Sequence, residues 1–127
     1  MKKQYDNYLY SDLTNNILRC VHEVHRKLGY GFLEKVYENA LIIVLTREGM
    51  RAEQQVPVIK VKFDGKVVGE YITDILVEEK VVIELKAVSE LASIHEVQLV
   101  NYLKASGARV GLLINFGPKL TIKRKVF

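Results

Sequence analysis

The residues best suited to chemistry are an aspartate and a Glu-x-Lys pattern, each set inside an otherwise apolar, strand-forming segment. Asp74 lies in the first segment, and Glu84 and Lys86 lie in the second. A three-residue loop at 78–80 would pair the two segments and place Asp74 opposite Glu84, with Cβ atoms roughly 4.5–5.5 Å apart. Two carboxylates at that distance on an apolar face repel each other unless a divalent cation, a shared proton or a lysine compensates their charge. Lys86 lies two residues from Glu84, on the same strand face.

Size and composition indicate one globular domain. The chain has 127 residues, enough for a single three-layer core, so we assign the domain to residues 1–127. Its hydrophobic content of 49% and charged content of 27% are those of a folded globular protein. No apolar stretch is long enough for a membrane span or a signal peptide, so we expect a cytoplasmic protein with no membrane partner. The single cysteine, Cys20, excludes an internal disulfide, and its helical setting favours a place in the core.

Three segments have the period of amphipathic helices. Apolar residues at spacings of three and four predict a first helix from about Ser11 to Leu28. The second helix ends near Gly49. Its predicted buried stripe contains Leu33, Val36, Tyr37, Ala40, Leu41 and Val44. A capping-box pattern at 93–96, with Ser93 as the cap and Glu96 as its partner, predicts the start of the third helix.

The remaining segments have the patterns of strands. Residues 56–63 and the segment after Asp64-Gly65 predict a hairpin with a two-residue turn, since Asp-Gly favours that turn. The apolar run Val110–Phe116 predicts a central strand covered on both faces, and residues 120–127 an edge strand. The predicted order is therefore α-α-β-β-β-α-β-β.

The turn between the first two strands also predicts a register. A two-residue turn pairs Phe63 with Lys66, and counting outward from that pair brings Gln55 opposite Asp74. Gln55 would then orient the carboxylate of Asp74. A single β-bulge in either strand would break this register.

The element order and these residues together resemble the PD-(D/E)xK nuclease superfamily. Asp74 and the Glu84-x-Lys86 pattern match its central motif, with Thr73 where the superfamily's name has proline. The resemblance implies an α/β fold with a restriction-endonuclease-like core, which is a three-layer sandwich with a mixed central sheet.

Two further patterns narrow the resemblance. Gln98 and Tyr102 match the Q-x-x-x-Y pattern of the RecB-like branch of the superfamily. Gly31, Glu34 and Tyr37 reproduce the signature of a subgroup called GxxExxY proteins. Together the matches cover nearly the whole chain.

The resemblance implies a divalent-metal-dependent nuclease that hydrolyses phosphodiester bonds of nucleic acid, with DNA favoured over RNA. Asp74, Glu84 and the Leu85 carbonyl would supply hard oxygen ligands for Mg²⁺ or Mn²⁺. Lys86 would position the attacking water or stabilise the negative charge that develops on the phosphate. The alternative is a cross-strand salt bridge in which the lysine neutralises both carboxylates without a metal.

A helical glutamate often completes the metal site in this superfamily. Glu34 and Glu38 lie one helical turn apart, so either would serve. We favour Glu34, because it is the glutamate of the GxxExxY pattern. The alternative is a solvated helix face paired with Lys35 or Arg47.

A polar stripe on the third helix is a second part of the expected site. His95, Gln98 and Tyr102 lie at i, i+3 and i+7, so they share one helix face. By resemblance this face looks toward the active site, where we assign Gln98 and Tyr102 to catalysis and His95 to nucleic-acid binding. The alternative is a half-buried patch held by hydrogen bonds alone.

Basic residues crowd the end of the sequence. They are Lys119, Lys123, Arg124 and Lys125, of which we assign Lys123, Arg124 and Lys125 to phosphate contacts. The alternative is an edge strand protected by lysines. The net charge of +4 permits binding to a polyanion without requiring it.

The alternative function is binding without efficient catalysis by a protein of the same fold. A catalytically weak nuclease-fold protein that binds nucleic acid or another protein would also fit a chain close to a minimal core with a modest basic surface. Metal titration would separate the two. A homodimer is a further expectation, since a second copy would let a small core span a duplex.

Overall fold

The computed structural model of the protein describes residues 9–127, so residues 1–8 of the predicted domain lie outside the described part. The helices are α1 at Ser11–Leu28, α2 at Glu34–Arg47 and α3 at Ser93–Ser106. The strands are β1 at Ala52–Phe63, β2 at Lys66–Val77, β3 at Val81–Lys86, β4 at Val110–Phe116 and β5 at Leu120–Val126. This is the predicted order. None of these helices is long and apolar enough to cross a membrane.

The described strands form one mixed sheet in the order β1-β2-β3-β4-β5. β3 and β4 are parallel, which the intervening α3 makes possible, and the other neighbours are antiparallel. Every residue of β4 is buried, as predicted for a central strand covered on both faces. β5 lies at an edge of this sheet, which confirms the predicted edge strand at the end of the sequence.

Helices cover both faces of the sheet and make three layers. α1 and α2 pack on one face, where Ile83 and Leu85 of β3 join the larger core cluster. α3 covers the other face through Leu99 and Leu103. Burying each such side chain contributes about 1.5–3 kcal/mol. Both helical layers therefore hold β3 in place, and the predicted three-layer α/β sandwich is confirmed.

The predicted buried stripe of α2 is wrong at its first turn. Leu33 is 81% exposed and Val36 is 39% exposed. The reason is that the helix begins at Glu34, with Leu33 extended at the N-cap, so the buried face starts at Tyr37.

The predicted cap of α3 is also wrong. The helix already includes Ser93, and Ala92 is the N-cap. His95 Nδ1 accepts the backbone N–H of Ala92 at 3.2 Å. His95 therefore takes the role that the capping-box pattern assigns to Glu96, because the helix starts one residue earlier than that pattern predicts.

The loop between β2 and β3 confirms the predicted register. Ile75 pairs with Ile83, so the next position outward brings Asp74 opposite Glu84. Glu78 in the loop has a φ of 53°, a left-handed value of the kind that tight hairpin loops require.

Two irregularities in the pairing of β1 with β2 cancel. Phe63 pairs with Lys66, as the two-residue turn predicts. The register then shifts by one between Lys62 and Val61, close to the turn, and shifts back between Ile59 and Pro57, near the middle of β1. Gln55 thereby returns to its predicted position opposite Asp74.

Candidate active site

Asp74 and Glu84 lie side by side on β2 and β3, and both are partly buried. Asp74 Oδ2 accepts the backbone N–H of Leu85 at 2.7 Å, and Asp74 Oδ1 lies 3.5 Å from Gln55 Nε2, at the limit of a hydrogen bond. Glu84 Oε1 accepts the hydroxyl of Tyr71 at 2.6 Å. Among the described residues, every hydrogen-bond donor to these two carboxylates is therefore neutral.

The electrostatics of this pair favour a bound positive charge. Burial raises the pKa of Glu84 from its ordinary 4.5 to about 7, the Tyr71 hydrogen bond lowers that pKa, and the charge of Asp74 raises it. Burial also raises the pKa of Asp74, against the lowering effect of the Leu85 N–H. Both carboxylates therefore lack sufficient compensating charge near neutral pH.

Lys86 influences the pair without binding it. Its positive charge lowers the pKa of Asp74 and of Glu84, but less than burial raises them. Across residues 9–127, no ion pair joins Lys86 to a carboxylate. The alternative of a cross-strand salt bridge is therefore wrong for this structure.

Glu34, the first residue of α2, belongs to the same group of charges. Its side chain as a whole is exposed. Partial burial of its carboxyl nevertheless raises the pKa of Glu34, and the charge of Asp74 raises it further, whereas Lys86 lowers it. The charge of Glu38 also raises the pKa of Asp74 and of Glu34, so four carboxylates and one lysine share a single electrostatic neighbourhood.

Glu38 lies one turn further along α2 and differs from the other three carboxylates in its burial and its hydrogen-bond donors. Its side chain is 3% exposed. Lys35 Nζ and Gln54 Nε2 donate to its Oε2 at 3.0 and 2.7 Å, and Gln55 Nε2 donates to its Oε1 at 3.0 Å. These donors compensate the buried charge. These donors engage both oxygens of Glu38, whereas Glu34 accepts no hydrogen bond from the residues that the structure describes.

The donor set suits a hard divalent cation. Among the residues that the structure describes, no three His, Cys, Asp or Glu side chains converge closely enough to form a complete metal cage. Mg²⁺ in proteins commonly takes only one or two carboxylates and keeps several waters. The oxygens of Asp74 and Glu84 fit that chemistry, with the other positions left to water or substrate.

The polar stripe of α3 is divided between different environments. The Tyr102 ring stacks on the Tyr71 ring, with centroids 3.4 Å apart, beside the hydrogen bond to Glu84. Gln98 is exposed and has no hydrogen-bond partner within the described chain. His95 binds the backbone at the start of α3. Only Tyr102 of the three is therefore joined to the carboxylate pair.

The basic residues of β5 do not form one surface. Lys123 lies on the α3 face of the sheet, across β4 from Glu84. Arg124 points to the opposite face, where its guanidinium donates to a backbone carbonyl just before α1. Lys125 shares the face of Lys123 and forms an ion pair with Glu96 at 2.8 Å. Two of the three predicted phosphate contacts therefore lie on the face of the carboxylate pair.

Comparison with known proteins places this arrangement in a family. The family model described as the PD-(D/E)XK nuclease superfamily matches residues 11–126. The chain belongs to this superfamily. The predicted superfamily is therefore confirmed.

A solved structure supports the fold of this superfamily member. The crystal structure of SSO0001 is similar to it with a TM-score of 0.58 and 21% sequence identity, covering 97% of this chain and 62% of that chain. At this identity the likeness shows the fold alone, and it agrees with the predicted restriction-endonuclease-like core. The chain spans less than two thirds of the length of SSO0001. No curated protein gives a significant match.

Two residues that support the carboxylate pair and Lys86 are not evident from the sequence motifs. Asn115 accepts the backbone N–H of Val88 and donates to the Val88 carbonyl, both at 2.9 Å. Asn115 also pairs with Lys86 across the β3–β4 ladder, so it fixes the chain just beyond the lysine. Its signal is a polar residue inside an apolar strand. The other residue is Tyr71, which resembles an ordinary strand aromatic.

The GxxExxY pattern of this superfamily member builds the turn before α2. Gly31 has a φ of 120°, which favours glycine. Tyr37 is fully buried, and its hydroxyl donates to the Gly29 carbonyl at 2.6 Å. The Tyr37 ring stacks on Phe116 of β4 with centroids 4.6 Å apart. The pattern therefore fixes the point where α2 begins, and Glu34 with it.

Proposed function

We propose that this superfamily member is a divalent-metal-dependent nuclease that hydrolyses phosphodiester bonds of nucleic acid, with DNA preferred to RNA. The observation that carries the proposal is the half-buried carboxylate pair, Asp74 and Glu84, beside Lys86, which forms no ion pair with either of them in the described chain. Such a pair is unfavourable on its own and is typical of a functional site. Membership of a nuclease superfamily supports the reaction class.

The cation would be Mg²⁺ or Mn²⁺. Asp74 and Glu84 would hold it, with the Leu85 carbonyl as a further oxygen ligand. Glu34 would have to move toward the pair to become another ligand, because no three such side chains converge among the described residues. When bound, the cation supplies Lewis acidity toward water and a phosphate oxygen. Lys86 would place its ammonium against the negative charge that develops on the phosphate.

The nucleic acid would approach over the α3 face of the sheet. His95 and Gln98 on α3 would contact phosphate or sugar groups, and the exposed amide of Gln98 has donors free for this role within the described chain. Lys123 and Lys125 share that face and would add charge. Arg124 is left out of this surface because it points to the other face.

We also propose that the chain is a GxxExxY protein of the RecB-like branch. Gly31, Glu34 and Tyr37 support the subgroup, because they build the start of α2, and Gln98 and Tyr102 support the branch. A homodimer would let this short chain span a duplex. Light scattering on the purified protein tests the dimer.

Cleavage of labelled DNA and RNA oligonucleotides with Mg²⁺, Mn²⁺ or EDTA tests the proposed reaction. The wild type should cut DNA with either cation and lose activity in EDTA. Asp74→Asn should lose cleavage, whereas Glu90→Gln, which removes an exposed carboxylate after β3, should keep it. Metal binding without cleavage of any substrate would instead support a catalytically weak binding protein.

A further inference from the structure

Tyr71 and Tyr102 connect α3 to Glu84 through two kinds of contact. The Tyr71 hydroxyl donates to Glu84 Oε1 at 2.6 Å. The rings of Tyr71 and Tyr102 stack with centroids 3.4 Å apart and an angle of 15° between their planes. Tyr71 is 8% exposed, so its ring has little room to move while Tyr102 covers it.

The two tyrosines use different parts of their side chains. Tyr71 uses both its hydroxyl and its ring. Tyr102 uses its ring, and its hydroxyl has no hydrogen-bond partner among residues 9–127. A role for Tyr102 near Glu84 is therefore carried by stacking.

We propose that Tyr71 is a positioning residue for Glu84, and that Tyr102 acts through its ring, by holding Tyr71, rather than through its hydroxyl. This inference rests on the proposed function, in which Glu84 holds the cation. A glutamate side chain has several free torsions, and a short hydrogen bond to one carboxylate oxygen restricts them. Glu84 is then held ready for the cation, with its second oxygen free of Tyr71.

Conservative substitutions separate the hydroxyl from the ring. Tyr71→Phe removes the hydrogen bond and keeps the stack. Tyr102→Phe keeps the stack, and Tyr102→Leu removes it. Tyr102→Phe should therefore leave the titration of Glu84 and the Mn²⁺ affinity as in the wild type, whereas Tyr71→Phe and Tyr102→Leu should change both in the same direction.

Two measurements on the full chain test this pattern. In metal-free protein, ¹³C NMR of the Glu84 side chain follows its titration. Tyr71→Phe and Tyr102→Leu should raise the pKa of Glu84, because the carboxylate loses a donor, and Tyr102→Phe should leave that pKa unchanged. Calorimetry with Mn²⁺ should show roughly 10-fold weaker binding for the first two variants, the scale of losing a contact that supports a metal ligand.

Equal losses in Tyr102→Phe and Tyr102→Leu would overturn the role of the ring. An unchanged titration and affinity in Tyr71→Phe would overturn the positioning role. Thermal unfolding checks that each variant folds, and if Tyr102→Leu does not fold, the two phenylalanine variants still decide. If the wild type binds no Mn²⁺, the proposed function fails, while the NMR titration still decides whether the tyrosines position Glu84.

Discussion

Glu38 and the Asp74–Glu84 pair are neighbours, because the side chain of Gln55 contacts both Glu38 and Asp74, yet their surroundings differ. Glu38 is 3% exposed and accepts from one ammonium and two side-chain amides. The pair accepts from one backbone N–H, one hydroxyl and one distant amide. Glu38 therefore has a cationic partner, Lys35, whereas the Asp74–Glu84 pair has no ion-pair partner within the described chain. A partly buried carboxylate pair without a cationic partner is typical of a functional site.

Gln55 shows how closely the two groups adjoin. Its Nε2 lies 3.0 Å from Glu38 Oε1 and 3.5 Å from Asp74 Oδ1. The shorter contact goes to Glu38, so Gln55 serves mainly the structural carboxylate. The predicted contact with Asp74 is present but longer, and substitutions on the two sides of Gln55 can test whether the groups act separately.

The largest expected effect is the loss of cleavage in Lys86→Ala. Removing the ammonium should lower the cleavage rate by roughly 10²–10³-fold, the scale for losing one group that stabilises transition-state charge. Mn²⁺ affinity should stay equal or rise slightly, because a competing positive charge is gone. Lys66→Ala, in the exposed end of the β1–β2 hairpin, is the control and should keep both properties. Full activity in Lys86→Ala would mean that the lysine has no part in catalysis.

Glu84→Gln should be more stable than the wild type at high pH. The pKa of Glu84 is raised from 4.5 to about 7, so between these values the unfolded state loses a proton that the folded state keeps. The wild type therefore loses stability as the pH rises through this window, and Glu84→Gln does not. At pH 8 the variant should be more stable by up to roughly 3 kcal/mol, an advantage absent at pH 4.

Urea unfolding at both pH values measures this difference. Added Mn²⁺ should narrow the gap at pH 8, because the cation stabilises only the folded wild type. A difference that does not change with pH would mean that Glu84 titrates normally and that the pair is not short of charge.

Glu38→Ala, in contrast, should destabilise the protein at every pH near neutrality. It removes the acceptor of three donors, and we expect a loss of about 1–3 kcal/mol. Glu53→Ala, which removes an exposed carboxylate on β1, should change stability by less than about 0.5 kcal/mol. Urea midpoints compare the two variants, and equal stability of Glu38→Ala and the wild type would mean that Glu38 is not a structural carboxylate.

The smallest expected effect concerns the surface around the pair. Because Lys123 and Lys125 share the sheet face of Glu84, replacing both with Gln should reduce the slope of log binding constant against log salt by about one to two units. Arg124→Gln, on the opposite face, should leave the slope unchanged. Fluorescence anisotropy with labelled DNA at several salt concentrations measures it. A slope reduced by Arg124→Gln alone would place the nucleic acid on the other face.

The juxtaposition of Asp74 and Glu84 can be predicted from the sequence because local rules determine it. The three-residue loop fixes the register of β2 and β3, and the alternation of side chains does the rest. The position of Gln55 follows from the same counting only because two register shifts in β1 cancel. Neither shift has a clear signal in the sequence.

Contacts between distant segments could not be predicted in this way. Tyr71 meets both Glu84 and Tyr102 because β2, β3 and α3 pack together, and no local pattern distinguishes it from a core aromatic. The division of Lys123 from Arg124 is different. Side chains alternate along a strand, so neighbouring residues such as Lys123 and Arg124 are predicted to lie on opposite faces. Treating the basic residues as one cluster along the chain ignores this alternation.

Calorimetric titration of Mn²⁺ into the wild type, Asp74→Asn and Glu38→Gln decides whether the Asp74–Glu84 pair is a cation site. If the pair is a cation site and Glu38 is structural, the wild type and Glu38→Gln bind Mn²⁺ with similar affinity. Asp74→Asn, which loses a direct ligand, should bind it more weakly by more than the roughly 10-fold expected for a supporting contact, or not at all. Equal affinity in the wild type and Asp74→Asn, or no binding by the wild type, would contradict the claim.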